Sequence, residues 1–167
     1  MKLYVMRHGP AMPRGSVPDE FSRPLSPEGV EQTAAAARGL ARLGLSGVRI
    51  LSSPLTRALQ TADLVAAELA PGGRPESVDL LAAGASPGEI RKALKGSTSD
   101  TLIVGHDPDV SVLVGYLLSG EPQAFIDFST GGVVALQFPD EVQKAAGRLL
   151  WYLRRRQLEL LGGVGQA

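Results

Sequence analysis

Both histidines of this 167-residue chain stand just behind short apolar runs: Leu3-Tyr4-Val5-Met6 leads into Arg7-His8-Gly9-Pro10, and Thr101-Leu102-Ile103-Val104 leads into Gly105-His106-Asp107-Pro108. A third run, Val48 to Ser52, leads through Ser53-Pro54-Leu55-Thr56 to Arg57. An imidazole can serve as nucleophile, proton carrier or hydrogen-bond donor. Guanidiniums grip phosphate oxygens in bidentate fashion, and helix N-terminal amides add donors. Brought together, Arg7, His8, Arg57 and His106 would hold a phosphoryl group with a nucleophile beside it. Taken singly, each has a plainer account. A histidine in a loop is most often a surface group, and Arg57 could pair with Asp63 or Glu68 along a helix. Zinc is the sharper rival, but two histidines with cationic neighbours and no cysteine make a poor metal shell, so neither a metal nor another cofactor is expected.

The elements that must position these residues alternate between two periods. Leu3–Met6, Val48–Ser52 and Thr101–Val104 read as buried strands that end in polar loops. Ser26-Pro27-Glu28-Gly29 carries a capping serine and a proline at the first helical position, and the Ala- and Leu-rich stretch to Leu43 continues it as a helix. Ser53-Pro54-Leu55 has the same look, as the cap and first turn of a helix through Leu69. Glu76–Leu81 reads as a further strand, Pro87–Leu94 as a short helix and Asp109–Leu118 as an apolar one. Gly132–Phe138 and Arg148–Leu153 read as strands paired at an antiparallel edge. Pro13–Pro24, rich in Pro, Gly, Ser and charge, is expected to be a mobile loop over the site. Arg154-Arg155-Arg156 beside Glu159 reads as a solvated helix face. Strands alternating with helices predict an α/β fold, a three-layer sandwich with a mainly parallel sheet flanked by helices. Such sheets bind ligands beyond the carboxyl ends of their strands.

The length suits one domain, placed at 1–161 with a frayed tail at 162–167. Charges balance, 17 Lys and Arg against 17 Asp and Glu, so no overall field draws the chain to nucleic acid or to an anionic membrane. There is no cysteine, which excludes disulfides, thiolate metal sites and cysteine nucleophiles. No stretch reaches the roughly 18 apolar residues of a membrane helix, and the N-terminus has no signal-peptide pattern. The expected location is the cytoplasm.

Four segments, in order, resemble the motifs of the histidine phosphatase superfamily, which includes the phosphoglycerate mutases, and specifically its small SixA-like phosphohistidine phosphatases. They are Met6-Arg7-His8-Gly9; Arg23-Pro24-Leu25-Ser26 with Gly29; Ser52-Ser53-Pro54-Leu55-Thr56-Arg57-Ala58 through Gln60-Thr61-Ala62; and Val104-Gly105-His106, with Phe128-Ser129-Thr130 beyond them. The resemblance implies a phosphoglycerate mutase-like fold and a phosphorylated His8, with Arg7, Arg57 and His106 binding the phosphoryl group. It adds Gly9 and Arg23 as substrate-binding residues; Arg23 could instead decorate a loop. Ser129 and Thr130 could donate to phosphate, though capping or turning the chain is the commoner use of such residues.

Larger members of that superfamily carry a carboxylic acid for the leaving group, and no equivalent stands out here. Asp107, Glu89, Asp19 and Glu20 are weak candidates, each readable as a surface charge. A phosphohistidine leaves as imidazole, whose pKa near ~6.5 makes general-acid help less important. The expected substrate is therefore a protein-borne phosphohistidine domain. The alternatives are a small-molecule phosphomonoesterase or mutase, and a non-catalytic phosphate- or phosphohistidine-binding module.

Overall fold

The computed structural model describes residues 1–163. Six strands, β1 (Lys2–Arg7), β2 (Arg49–Ser52), β3 (Glu76–Ser77), β4 (Thr101–Gly105), β5 (Val133–Gln137) and β6 (Arg148–Leu153), form one sheet in the order β3-β2-β4-β1-β5-β6. The first four in that order are parallel; β5 runs antiparallel to β1, and β6 antiparallel to β5. The α-helices are α1 (Pro27–Arg42), α2 (Thr56–Leu69), α3 (Pro87–Ala93), α4 (Asp109–Ser119) and α5 (Arg155–Leu161).

Alternation along β1 builds the two cores. Tyr4 and Met6 face α1, α2 and α5, where Ala36, Leu40, Ala62, Val65 and Leu158 are buried. Leu3 and Val5 face α3 and α4, where Ile90, Leu94, Leu113 and Leu117 are buried. The sheet is thus covered on both faces, as its parallel centre requires. This is the three-layer α/β arrangement that the alternating pattern predicts.

Three elements depart from the sequence reading. Glu76–Leu81 forms only a two-residue strand, and Asp79–Leu81 turns into a 3-10 helix that buries Leu81. Ser53 does not cap a helix: α2 begins at Thr56 after Leu55, which makes no side-chain cap. The arginine run opens α5, whose Arg155 is half-buried and pairs with Glu159. That helix lies on α1 so closely that a Cβ on Gly39 would fall 2.1 Å from the Leu158 carbonyl oxygen. Gly162, expected to fray, is held in the same way, its would-be Cβ 2.1 Å from the Ala35 carbonyl oxygen. The rest of the expected frayed tail, 164–167, lies outside the described residues.

Candidate active site

Strands β1, β2 and β4 end level with one another, Arg7 beside Gly105 and Ser52 beside Val104. The chain leaves β1 for α1 on one face and β4 for α4 on the other, so a crevice opens between the two strand ends. A cavity of about 410 Å³ fills it. Arg7, His8, Arg57 and His106 line it, together with Arg23, Met12, Arg14, Asp107 and Thr130. All four residues expected to do chemistry therefore meet.

Backbone hydrogen bonds fix the loop that carries His8. The His8 N–H donates to the Gly105 carbonyl at 3.0 Å, and the Gly131 N–H donates to the carbonyls of Arg7 and His8, each at 3.0 Å. Gly9 donates its N–H to Thr61 Oγ1 at 3.0 Å, and Thr61 Oγ1 donates to the Arg57 carbonyl at 2.7 Å. Position 9 must be glycine, because a Cβ there would sit 2.1 Å from Thr33 Oγ1. Gly29 brings α1 onto the same loop, where a Cβ would meet the Pro10 carbonyl oxygen at 1.9 Å. Gly9, expected to bind substrate, is placed here as a packing residue beside the cavity. Its N–H is engaged by Thr61, and it does not line the cavity.

The Gly9 carbonyl instead sets the state of the histidine. His8 Nδ1 lies 2.7 Å from it, and a carbonyl can only accept, so Nδ1 carries the ring proton. Nε2 is then a bare lone pair, to which Arg57 Nε donates at 3.3 Å. Burial chiefly, then the nearby His106, Arg57 and Arg7, lower the His8 pKa to about 3, against the opposing pull of the Gly9 hydrogen bond. His106 is lowered to about 4, by burial first and then by Arg57, Arg23 and Arg7. Both rings are neutral at pH 7.

His106 is oriented from below. Its Nε2 lies 2.7 Å from Ser53 Oγ, which accepts the Leu55 N–H at 3.3 Å. The direction of the Ser53–His106 bond follows the ring tautomer: donation by Ser53 to Nε2 puts the ring proton on Nδ1, a buried atom with no protein partner. The two imidazole centroids are 5.3 Å apart.

Arg7 is tethered at one point, Arg57 and Arg23 at two. Arg7 Nη1 donates to the Phe128 carbonyl at 2.6 Å, while its buried Nε has no partner. Arg57 Nη1 donates to the Glu20 carbonyl at 2.8 Å. Burial chiefly holds its pKa below the usual arginine value. Arg23 is no loop decoration: it is buried, donates from Nε to Glu20 at 2.9 Å and from Nη1 to the Met12 carbonyl at 2.7 Å, and so pins the loop while lining the cavity.

The acids separate clearly. Glu89 closes the capping box of α3 with Ser86, Asp19 accepts the N–H groups of Phe21 and Ser22, and Glu20 holds Arg23; none of the three lines the cavity. Asp107 does line it, and accepts a hydrogen bond from Ser111 Oγ. Ser129 Oγ accepts the Arg155 N–H at 3.3 Å and shapes the chain, whereas Thr130 reaches the cavity. Among the described residues no three His, Asp or Glu side chains gather as a metal-binding group.

A model of the histidine phosphatase superfamily (branch 1) matches residues 3–82. An uncharacterized protein of Picosynechococcus sp. is 34% identical over 142 residues, spanning 82% of this chain and 85% of that one. The solved structure of the protein histidine phosphatase SixA complexed with tungstate superposes with a TM-score of 0.83 at 26% identity, over 95% of this chain and 99% of that one. The mitochondrial serine/threonine-protein phosphatase PGAM5 of Mus musculus is 39% identical over 83 residues, which is 50% of this chain but only 28% of PGAM5. The chain belongs to the histidine phosphatase superfamily, whose members include phosphatases, and its fold is SixA-like.

Proposed function

We propose that the chain is a phosphohistidine phosphatase acting on protein-borne phosphohistidine through a phospho-His8 intermediate, with 1–161 as one catalytic domain working in the cytoplasm. The observation that carries this reading is the state of His8: its Nδ1 proton is held by the Gly9 carbonyl, and its Nε2 lone pair, which Arg57 Nε must release before it can reach phosphorus, stands in a residue lining the cavity with Arg7, Arg57 and His106. The Nε2 pair forms the new N–P bond while the P–N bond of the substrate breaks, its electron pair leaving with the departing imidazole. Cations around the equatorial oxygens stabilise the loose transition state. Phospho-His8 is an imidazolium that keeps its proton on Nδ1, hydrogen-bonded to the Gly9 carbonyl, so when water attacks phosphorus the P–N bond breaks, His8 leaves as a neutral ring and water's proton goes to solvent or product. The arginines supply the positive charge that a metal would otherwise bring, so the reaction proceeds without one.

One observation favours a second reading. Asp107 lines the cavity and could serve an alkoxide leaving group, as a small-molecule phosphomonoesterase would need. A purely binding module has no use for a histidine whose Nε2 is kept unprotonated in the cavity wall. The test is to quench turnover of a ³²P-labelled phosphohistidine protein, with chelator present, and map the label. It should reside on His8 as an acid-labile phosphoramidate. Full turnover by His8→Ala, or activity only on phosphate esters and only with added metal, would overturn the proposal.

A further inference from the structure

A second concavity, also about 410 Å³, adjoins the first and shares Asp107 with it. Pro108, Ser111, Phe125, Ile126 and Asp127 line it, and none of Arg7, His8, Arg57 and His106 does. Its wall is the segment 122–130, which also serves the phosphate site: the Phe128 carbonyl holds Arg7, and Thr130 lines the first cavity. Phe128 is fully buried, yet Phe125 is 58% exposed. That exposed ring is nonetheless held in place. A Cβ on Gly115 of α4 would lie 3.2 Å from Phe125 Cδ2 and 1.7 Å from the Gln123 carbonyl oxygen, so the segment rests directly on the helix. Tyr152 Oη donates to the Asp127 carbonyl at 2.9 Å and anchors the other end.

Charge changes sign between the two concavities. The first presents Arg7, Arg14, Arg23 and Arg57, with Asp107 at the shared edge, whereas the charged residues of the second are Asp107 and Asp127 alone. We infer that the second concavity is a docking groove for the polypeptide flanking the phosphorylated residue. It takes an apolar side chain against Phe125 and Ile126 and a lysine or arginine beside Asp127. A substrate that reaches both places must carry phosphate at one point and apolar and cationic groups a few ångströms away. A phosphorylated polypeptide meets that description, while the carboxylates repel a polyanionic metabolite or nucleic acid. The inference rests on the phosphohistidine reading and adds where the protein substrate binds.

The experiment compares kcat/KM for four substrates: a phosphohistidine peptide with Leu and Lys flanking the phosphorylated residue, the same peptide with Leu and Glu flanks, the same peptide with glycine flanks, and phosphoramidate as the minimal substrate. Wild type should favour the Leu/Lys peptide. Phe125→Ser should lower its kcat/KM by about tenfold, the scale of an interface anchor, and leave phosphoramidate untouched. Asp127→Lys should reverse the preference toward a Glu-flanked peptide, a gain that misfolding cannot imitate. Leu149→Ser, an exposed position on β6 that lies level, across β5, with Leu3 at the start of β1 and so away from the strand ends that carry the site, should change nothing. Equal turnover of the Leu/Lys and glycine-flanked peptides, an equal loss on phosphoramidate in Phe125→Ser, or no reversal in Asp127→Lys would overturn the groove. If no phosphohistidine peptide is hydrolysed while small phosphate esters are, the substrate reading itself fails and the groove with it.

Discussion

Arg57 and Arg14 both line the cavity, but they are held by opposite means. Arg57 emerges from the first turn of α2, is 6% exposed, and is fixed by His8 Nε2 and the Glu20 carbonyl. Arg14 stands exposed on the loop between β1 and α1. The same contrast separates the whole floor of the cavity from its rim. At the floor every ring and guanidinium is oriented by a backbone carbonyl or a buried hydroxyl, away from water, where donors aimed at developing charge act most strongly. At the rim, charges are hydrated and screened. On the proposed reading the floor would set the rate, and the rim the encounter with substrate.

Removing a floor residue should give the largest effect short of losing His8 itself. Arg57→Ala takes away one preorganised donor to the phosphoryl group and should lower kcat by about 10²–10³, or about 2.7–4 kcal/mol. Single-turnover kinetics on phosphoramidate would measure it, and an unchanged rate in the folded variant would dissolve the distinction between floor and rim.

Ser53→Ala should cost less, about tenfold in kcat, because it removes one hydrogen bond and frees His106 to exchange tautomers. Nitrogen-15 NMR reads the state directly. The wild-type ring should be protonated at Nδ1, and the variant should shift toward a mixture. A His106 protonated at Nε2 in the wild type would show that Ser53 accepts rather than donates.

Acid should weaken the fold through the same two rings. Above pH 6.5 His8 and His106 are neutral whether folded or unfolded. As pH falls below that, the unfolded chain takes up protons at 6.5 while the folded rings resist until about 3 and about 4. Stability is therefore lost across the window from 6.5 down to those values, at up to about 1.4 kcal/mol per pH unit for each ring. Urea titrations between pH 7 and pH 4 should show a steeper decline for wild type than for a His8→Asn, His106→Asn double variant. Parallel declines would mean that the folded rings titrate normally.

Much of the floor was legible in the sequence because it lies at the ends of strands whose apolar runs are unmistakable. Arg7, His8, Arg57 and His106 follow β1, β2 and β4, and the strand order brings those three ends together. What escaped is held by tertiary contact. Ser53 looked like a helix cap because Ser-Pro is a cap signature, yet its hydroxyl turns to His106. Thr61 lies inside a quoted motif, but its bridge between Gly9 and Arg57 depends on how α2 packs. The Phe128 carbonyl that tethers Arg7 has no side-chain signal at all. Gly9 came as a substrate-binding residue only through the family resemblance, and its close approach to Thr33 has no signal in the sequence. The packing of α5 on α1 escaped because charge dominates Arg154-Arg155-Arg156, while the contact is made by Leu158 and two glycines.

The smallest effect belongs to the rim, and its form matters more than its size. Arg14 touches the cavity from an exposed loop, so its attraction for an incoming phosphoryl group acts through water and ions. Such a charge would draw the anion toward the mouth without following it into the transition state, which the proposed mechanism gives to Arg7 and Arg57. Arg14→Ala should therefore raise KM by about threefold at low ionic strength and leave kcat unchanged. The difference should fade as salt approaches about 1 M, where the screening length is about 3 Å. Steady-state kinetics on phosphoramidate at two salt concentrations would separate the outcomes. If Arg14→Ala lowers kcat instead, and salt leaves the loss intact, then the loop closes over the substrate and Arg14 belongs to the floor.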